Sequence, residues 1–465
     1  MQDRHRPRYH FTAPSRWIND PNGLAFHGGR YHLYYQYNPH ASHWGDIHWG
    51  HASSADLLHW QDEGIALAPS PGHDAEGCFS GCFALVGGVP TLYYTGYTQA
   101  RQVQCAATST DLRHWTKHPE RAIVVPPADV AATEFRDPYV FQQGPWWYMV
   151  VGASHRSERG QVLLYRSADG LDWQYRHPLF TAPSLALGVM WECPNFFPLG
   201  DKWVLTVSIW PNLGAHAFVG RFEEERFVPA SDAPLDVDAG AFAHLTLCAP
   251  DGRRLQWAWM NEQRAQERID ADGWAGAMTV PRELGLDSQA RLTLRPHREL
   301  AALRQSAIPT MNSGAARSVL CRWAGRCMDM QARFVLRDKA KVGLTVLASP
   351  DGQEYTRIVY WPEARRLLIE RAHSSLDRQV RRQDLHAFLL LDPGEPLQLR
   401  VLLDHSVLEV YANDRVCLAT RLYPTLPDSL HAHAFAEGDT TLDLQAWDMG
   451  SIHVGEREAL QTPDP

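Results

Sequence analysis

The chain has 465 residues and a formal net charge of −9, from 44 Lys and Arg against 53 Asp and Glu. That length accommodates two domains, and the acidic balance argues against nucleic acid or anionic membrane as a partner. No run of about 18 apolar residues is present, so no transmembrane helix is expected, and residues 1–16 lack the apolar core of a secretory signal.

Short β runs dominate the first 290 or so positions. Strands are predicted at Tyr31–Tyr37, Thr91–Tyr97, Trp146–Gly152, Val162–Ser167, Trp203–Trp210 and Leu255–Met260. All are rich in Tyr, Trp, Val and Leu and bounded by Gly, Pro, Asn or Asp. A motif recurs within this region: S-A-D-L-L-H-W at 54–60, S-T-D-L-R-H-W at 109–115 and S-A-D-G-L-D-W at 167–173. A repeat of that length built of short strands is the sequence mark of propeller blades. The echo reads as architecture, an Asp-anchored turn followed by a Trp plug between blades. Pro296–Gln305 is the best helix candidate, opening on proline with Leu300 and Leu303 on one face. Beyond it the texture changes to alternating strands at Ala332–Leu336, Val342–Leu347, Arg357–Trp361, Leu397–Leu403, Val407–Tyr411 and Val416–Arg421, which predicts a β-sandwich.

The eight cysteines, at 78, 82, 105, 193, 248, 321, 327 and 417, form no paired framework. They read as reduced thiols of a cytoplasmic protein, and no metal or other cofactor is expected. Seventeen Trp and sixteen Tyr suit a carbohydrate ligand, because an aromatic face lies well against the C–H face of a sugar.

Three acidic residues stand in unusual company. Asp20 lies in W-I-N-D-P-N-G at 17–23, a run that cannot continue a helix and that mounts its carboxylate stiffly at a strand end or turn. Asp137 lies in F-R-D-P, and Glu192 in M-W-E-C-P-N. In a propeller, residues one or two blades apart can converge on a single funnel. Cleavage of a glycoside with retention needs an ionised carboxylate and a protonated one, roughly 5–5.5 Å apart. Met190, Trp191 and Cys193 around Glu192 should desolvate it and keep it protonated as the acid. Arg136 should hold Asp137 ionised, and backbone donors in its turn should do the same for Asp20.

With these motifs the sequence resembles glycoside hydrolase family 32, the β-fructofuranosidases. The resemblance is carried by residues 17–23, F-R-D-P at 135–138 and W-E-C-P-N at 191–195. Supporting runs are Y-H-L-Y-Y-Q-Y-N-P at 31–39, H-W-G-D-I-H-W-G-H at 43–51, G-C-F-S-G at 77–81, G-W-A-G-A-M-T-V-P-R-E-L at 273–284 and L-E-V-Y-A-N-D at 408–414. It implies an all-β chain: a five-bladed β-propeller over 1–295, a linker helix over 296–306, a β-sandwich over 307–455 and a tail over 456–465. It implies Asp20 as nucleophile on the anomeric carbon of a fructosyl unit. Glu192 would be acid and then base, and Asp137 would hold the ring hydroxyls. The implied fructose pocket is Asn19, Gln36, Trp44, Phe79, Ser80, Arg136 and Trp274. The implied substrates are sucrose, sucrose 6-phosphate or a short fructo-oligosaccharide. A fructosyltransferase or exo-acting fructan hydrolase on the same site, or a silent sugar-binding protein, are the alternatives. A phosphate on the substrate would need a cation near the fructose 6-position, for which Arg101 and His43 are candidates. Family members include monomers and homodimers. Asn195 stands where many relatives have aspartate, which bears on the tuning of Glu192. Cys82 replaces a common serine, and D-H-S at 404–406 departs from the usual D-R-S at an end that reads as structural.

Overall fold

The computed structural model describes residues 3–118, 124–128, 130–155, 158–211, 214–236, 240–312, 319–337 and 339–452; the tail over 456–465 lies outside them. The described residues are nearly all β. The exceptions are one short α-helix, Gln266–Asp272, and 3-10 turns at Leu185–Leu187 and Arg298–Leu303, the second falling inside the helix expected at Pro296–Gln305. Contacts divide the chain into two units: Thr12–Met260 with Gly273–Leu292, and Met1–Phe11, Asn261–Asp272 and Thr293–Pro465.

The first unit is a five-bladed propeller. Its innermost strands are Arg16–His27, Gly77–Val86, Val130–Gln143, Met190–Leu199 and Phe242–Cys248. Each touches the next, and the fifth touches the first, which closes the ring. The first three blades carry the repeated motif in the link from third to fourth strand. Asp56 accepts the N–H groups of Leu58 and His59, Asp111 those of Arg113 and His114, and Asp169 those of Leu171 and Asp172. The tryptophans that follow reach back one blade: Trp115 packs edge-on against Tyr34, and Trp173 against Tyr93. The repeat is therefore turn and plug, as its residue types require.

All five inner strands bulge at one level. Asn19 and Asp20 together face Gln36; Ser80 is the extra residue between Phe79 and Gly81. Asp137 and Pro138 face Val151, Cys193 and Pro194 face Val207, and Ala243 and His244 face Ala258. A bulge takes a residue out of the ladder, so its backbone N–H needs another acceptor. The neighbouring blade supplies it. Asp137 N–H donates to Thr95 Oγ1 at 2.8 Å, Cys193 N–H to Asp137 Oδ2 at 2.8 Å and Ala243 N–H to Ser208 Oγ at 2.9 Å. Asp137, Cys193 and Ala243 hold φ of 67°, 46° and 55°, a left-handed conformation costing each roughly 1–2 kcal/mol that the surrounding sheet must enforce. Gly81 has a different reason: a Cβ there would lie 1.9 Å from the Tyr93 carbonyl oxygen.

Asn195, fully buried just past the fourth bulge, ties two blades together. It donates to the carbonyls of Cys193 and His244 at 3.0 and 2.8 Å and accepts from Thr246 N–H at 2.8 Å. Its partners are thus backbone groups of the fourth and fifth inner strands rather than the Glu192 carboxylate it was expected to tune. A cavity of about 10 Å³ lined by Pro21, Ser80, Asp137, Pro138, Cys193 and Leu245 lies at and just past the bulges. That is room for about one water and no sugar, so the funnel narrows to a neck there.

The second unit is a β-sandwich. Six strands order as Arg304–Ala307, Thr440–Met449, Cys327–Leu336, Leu397–Asp404, Val407–Ala412 and Val416–Arg421. Seven order as Met311–Asn312, Val319–Ala324, His431–Ala436, Val342–Ala348, Thr356–Trp361, Arg366–Glu370 and Leu385–Phe388. Met328, Met330, Val401, Leu403 and Leu408 of the first sheet, and Leu344, Val346, Ile358 and Ile369 of the second, are buried. An N-terminal strap is clasped within this unit. Asp404, of the D-H-S run, accepts the N–H groups of Arg8, Tyr9 and His10. His10 bridges Asp404 Oδ2 at 2.9 Å and Glu409 Oε1 at 3.0 Å, with no exposure. Burial alone would lower its proton affinity, but the hydrogen bonds and charges of the two carboxylates outweigh burial and raise it. Asp404 is lowered by His10 and its backbone donors despite its burial.

Two outcomes follow from these struts. Asn195→Ala leaves a buried N–H and two carbonyls without partners, so urea denaturation should show a loss of about 2–4 kcal/mol. The His10 clasp should make stability depend on pH. A histidine raised above its unfolded value of about 6.5 gives its full stabilisation below that pH and loses it as pH rises through the folded value. A lowered aspartate gives its own above about pH 3.9 and loses it as pH falls through the folded value. Denaturation midpoints measured across pH should therefore crest between those limits, and His10→Asn should remove the decline on the basic side.

Candidate active site

The bulge level gathers the three carboxylates. Asp20 is at the first bulge, Asp137 at the third, and Glu192 immediately before the fourth. Interblade bonds match like positions: Arg136 meets Glu192 before the bulges, and Asn195 meets Thr246 after them. The inner strands thus run in one direction, and the residues before each bulge line the open side of the funnel.

Asp20 is held chiefly by side chains, with its own backbone N–H a smaller contributor. Oδ2 accepts from Ser80 Oγ at 2.5 Å and Gln36 Nε2 at 3.4 Å, with the Cys193 thiol at 3.7 Å. Oδ1 accepts from Asn19 Nδ2 at 3.1 Å. The holders are themselves held: Trp17 Nε1 donates to Asn19 Oδ1, Asn19 Nδ2 to Gln36 Oε1, and Gln36 Nε2 to Ser80 Oγ. Burial raises the Asp20 pKa to about 6, assisted by the Glu192 charge and opposed by the Ser80 and Asn19 bonds.

Arg136 does not pair with Asp137, as its place beside it in the sequence suggested. Its Nε and Nη2 both reach Glu192 Oε1, at 2.9 and 2.6 Å, and its Nη1 reaches Glu134 Oε2 at 2.9 Å and Gln102 Oε1 at 3.3 Å. The apolar wrap expected around Glu192 is correspondingly absent. Successive strand residues face opposite ways, and Trp191 turns outward onto Phe180 and Phe218, bonding Leu187 O through Nε1. Glu192 Oε2 has no hydrogen-bond partner among the described residues. Asp137, like Asp20, is raised by burial, with the Glu192 and Asp20 charges adding to the effect against the pull of Arg136. Asp137 Oδ2 accepts the Cys193 N–H, and the Cys193 thiol lies 3.5 Å from that oxygen.

Of the other expected pocket residues, Asn19, Gln36 and Ser80 are buried within the Asp20 network. Phe79 stacks on Tyr97 at 4.2 Å, and Trp44 meets Phe79 edge-on at 5.8 Å while 51% exposed. Those rings form an aromatic lip. Trp274 pairs in register with Arg16 at the edge of the first blade and is 1% exposed, so it offers no free face. Sequence reasoning missed Thr95, Gln102 and Gln104. Thr95 Oγ1 receives the Asp137 N–H and bonds Gln104, and Gln102 accepts from both Phe135 N–H and Arg136. A signal existed: Q-V-Q at 102–104 puts two amides on one face of a strand whose polar residues have no reason to be buried unless they serve a site.

The comparisons agree with this geometry. Residues 10–296 match the glycosyl hydrolases family 32 N-terminal domain, and residues 299–448 the family 32 C-terminal domain. A sucrose-6-phosphate hydrolase of Escherichia coli is 34% identical over 445 residues, covering 90% of this chain and 89% of that protein. A raffinose invertase of Escherichia coli is 34% identical over 472 residues, covering 94% and 93%. Among solved structures, fructan 1-exohydrolase IIa from Cichorium intybus superposes with a TM-score of 0.87 at 27% identity, covering 97% of this chain and 98% of that one. Carboxylates gathered at one bulge level of a five-bladed ring, followed by a sandwich, lie within a chain that both domain families match almost end to end: it belongs to glycosyl hydrolase family 32 and is a glycoside hydrolase.

Proposed function

We propose that the protein is a retaining β-fructofuranosidase that releases fructose from sucrose, its 6-phosphate or a short fructo-oligosaccharide. The observation that carries the reading is the unequal bonding of two carboxylates in one funnel. Asp20 has Oδ2 saturated and Oδ1 held by a single donor, while Glu192 has Oε1 tied to Arg136 and Oε2 open. Asp20 Oδ1 attacks the anomeric carbon of the fructosyl unit as the bond to the leaving oxygen breaks. A proton on Glu192 Oε2 passes to that oxygen. Glu192 then takes a proton from water, the hydroxide displaces Asp20, and fructose leaves with its configuration retained. Asp137 accepts hydrogen bonds from the ring hydroxyls. Arg136 orients Glu192, and Asn19, Gln36 and Ser80 fix Asp20. The eight free thiols suit a reducing compartment, and we place the protein in the cytoplasm.

Glu192→Gln should lower kcat on sucrose by roughly 10²–10⁴-fold, the range of acid–base catalysis; a loss below tenfold would remove Glu192 from the role. In water containing methanol, a double displacement gives methyl β-fructofuranoside, whereas α-configured product would identify inversion. Asp20 must be ionised to attack, so kcat/KM should fall as pH drops through about 6. Ser80→Ala removes a donor to the ionised form, so the acid limb should move to higher pH; an unmoved limb would dissociate Asp20 from it.

A further inference from the structure

We propose that Arg101, braced by His73, is the cation that selects a leaving sugar bearing a phosphate monoester. The proposal rests on the fructosyl-transfer reading above and adds which substrate the mouth of the funnel favours.

The register fixes the height of Arg101. Phe79 pairs with Thr95 and Gly77 with Tyr97, and Thr98 pairs with Arg101 where the second and third strands of that blade meet. Ser80, which bonds Asp20, is the bulge residue beside Thr95. Arg101 therefore stands three or four residues above the level of the nucleophile, roughly 10–13 Å along the strand at about 3.3 Å per residue, and two strands outward from Ser80, within the reach of its long side chain and a leaving sugar. It lies on the side where Arg136 and Glu192 face the open funnel. The passage narrows at the bulges to room for about one water, so a fructosyl unit seated on Asp20 projects its leaving sugar upward, past the Phe79–Tyr97 stack and Trp44.

The cation there is uncommitted. Arg101 Nη2 donates to His73 Nδ1 at 3.3 Å, which leaves the His73 proton on Nε2 as a second donor. No carboxylate pairs with Arg101 among the described residues. The neighbouring Glu76 is taken up by the backbone N–H of Gln99. Of the other candidates, Arg136 is held by Glu192 and Glu134, and His43, with Nδ1 on the Trp44 carbonyl, offers a single ring nitrogen where Arg101 offers a fork. A guanidinium fork with a second donor beside it matches a phosphate, with charge-assisted bonds that a neutral hydroxyl cannot supply. A neutral leaving sugar would use the aromatic lip and leave Arg101 to water.

The test compares kcat/KM on sucrose and on sucrose 6-phosphate for the full chain and for Arg101→Ala, Arg101→Lys and His73→Ala. The wild type should prefer the phosphate ester. R101A should lose about tenfold on it, chiefly through KM, with less than threefold change on sucrose. R101K should recover part of the loss, and added salt should shrink the gap between the two substrates. H73A should raise KM for the ester by less than R101A and leave kcat alone. A wild type that prefers sucrose, or an R101A loss equal on both substrates, would overturn the assignment while leaving the fructosidase reading intact. No turnover of either substrate by the wild type would overturn both.

Discussion

A β-strand that gains one residue must orphan a backbone N–H, and a buried N–H without a partner costs about 1–3 kcal/mol. This propeller bulges five times at one level, and at three of the bulges a neighbouring blade supplies the acceptor: Thr95 of the second blade serves Asp137 of the third, Asp137 serves Cys193 of the fourth, and Ser208 of the fourth serves Ala243 of the fifth. The Ser80 hydroxyl crosses from the second blade to Asp20 of the first, and the Cys82 thiol accepts the Val140 N–H of the third. The same bonds that make the bulges tolerable therefore fix the positions of the carboxylates. Asp137 belongs to both accounts at once, as structural acceptor for a neighbour's N–H and as a group facing the funnel.

That arrangement sets the electrostatics. Burial makes Asp20 and Asp137 costly to ionise, and the Glu192 charge adds to that cost for both. One strong cation is supplied, and the bulge geometry sends it to Glu192 rather than to its sequence neighbour. A guanidinium on one oxygen orients Glu192 while leaving the other oxygen free, whereas Asp20 is oriented by neutral donors alone. Neutral donors let burial keep the Asp20 pKa near 6, where a small change in its hydrogen bonds moves the balance between charged and neutral forms.

The parts of this site that could be read from the sequence were those written in local chemistry. Proline after Asp20, Asp137 and Cys193 marks a strand that leaves its ladder, and three such marks in one chain announce three bulges. The Asp-anchored turns and their tryptophans were legible for the same reason, since each Asp bonds N–H groups two and three residues on. What could not be read was direction across blades. Residues 135–137 do not disclose that Arg136 crosses to Glu192, because a left-handed Asp137 re-aims the chain between them. Asn195 looked like a modifier of the adjacent acid, yet alternation along the strand points it to the fifth blade. Trp274 looked like a wall of the pocket, yet its ring is covered. The helix expected at Pro296–Gln305 tightened to a six-residue 3-10 turn at Arg298–Leu303, where Leu300 and Leu303 still bury together.

The closure of the ring also bears on Asp20. Asp20 lies on the first inner strand of the chain, and that strand has a partner on each side. Tyr31–Asn38 is contributed locally, while Trp274–Ala275 arrives from the far end of the propeller unit and pairs with Arg16 and Trp17 in parallel. Gly276, at φ 85°, permits the approach, because a Cβ there would lie 2.1 Å from the Ile18 carbonyl oxygen. A contact of such long sequence separation carries a large loop-closure cost, which the ordered intervening blades offset. The carboxylate proposed as nucleophile thus sits on a strand whose two sheet partners come from opposite ends of the propeller unit. Its geometry depends on the closure of the whole ring.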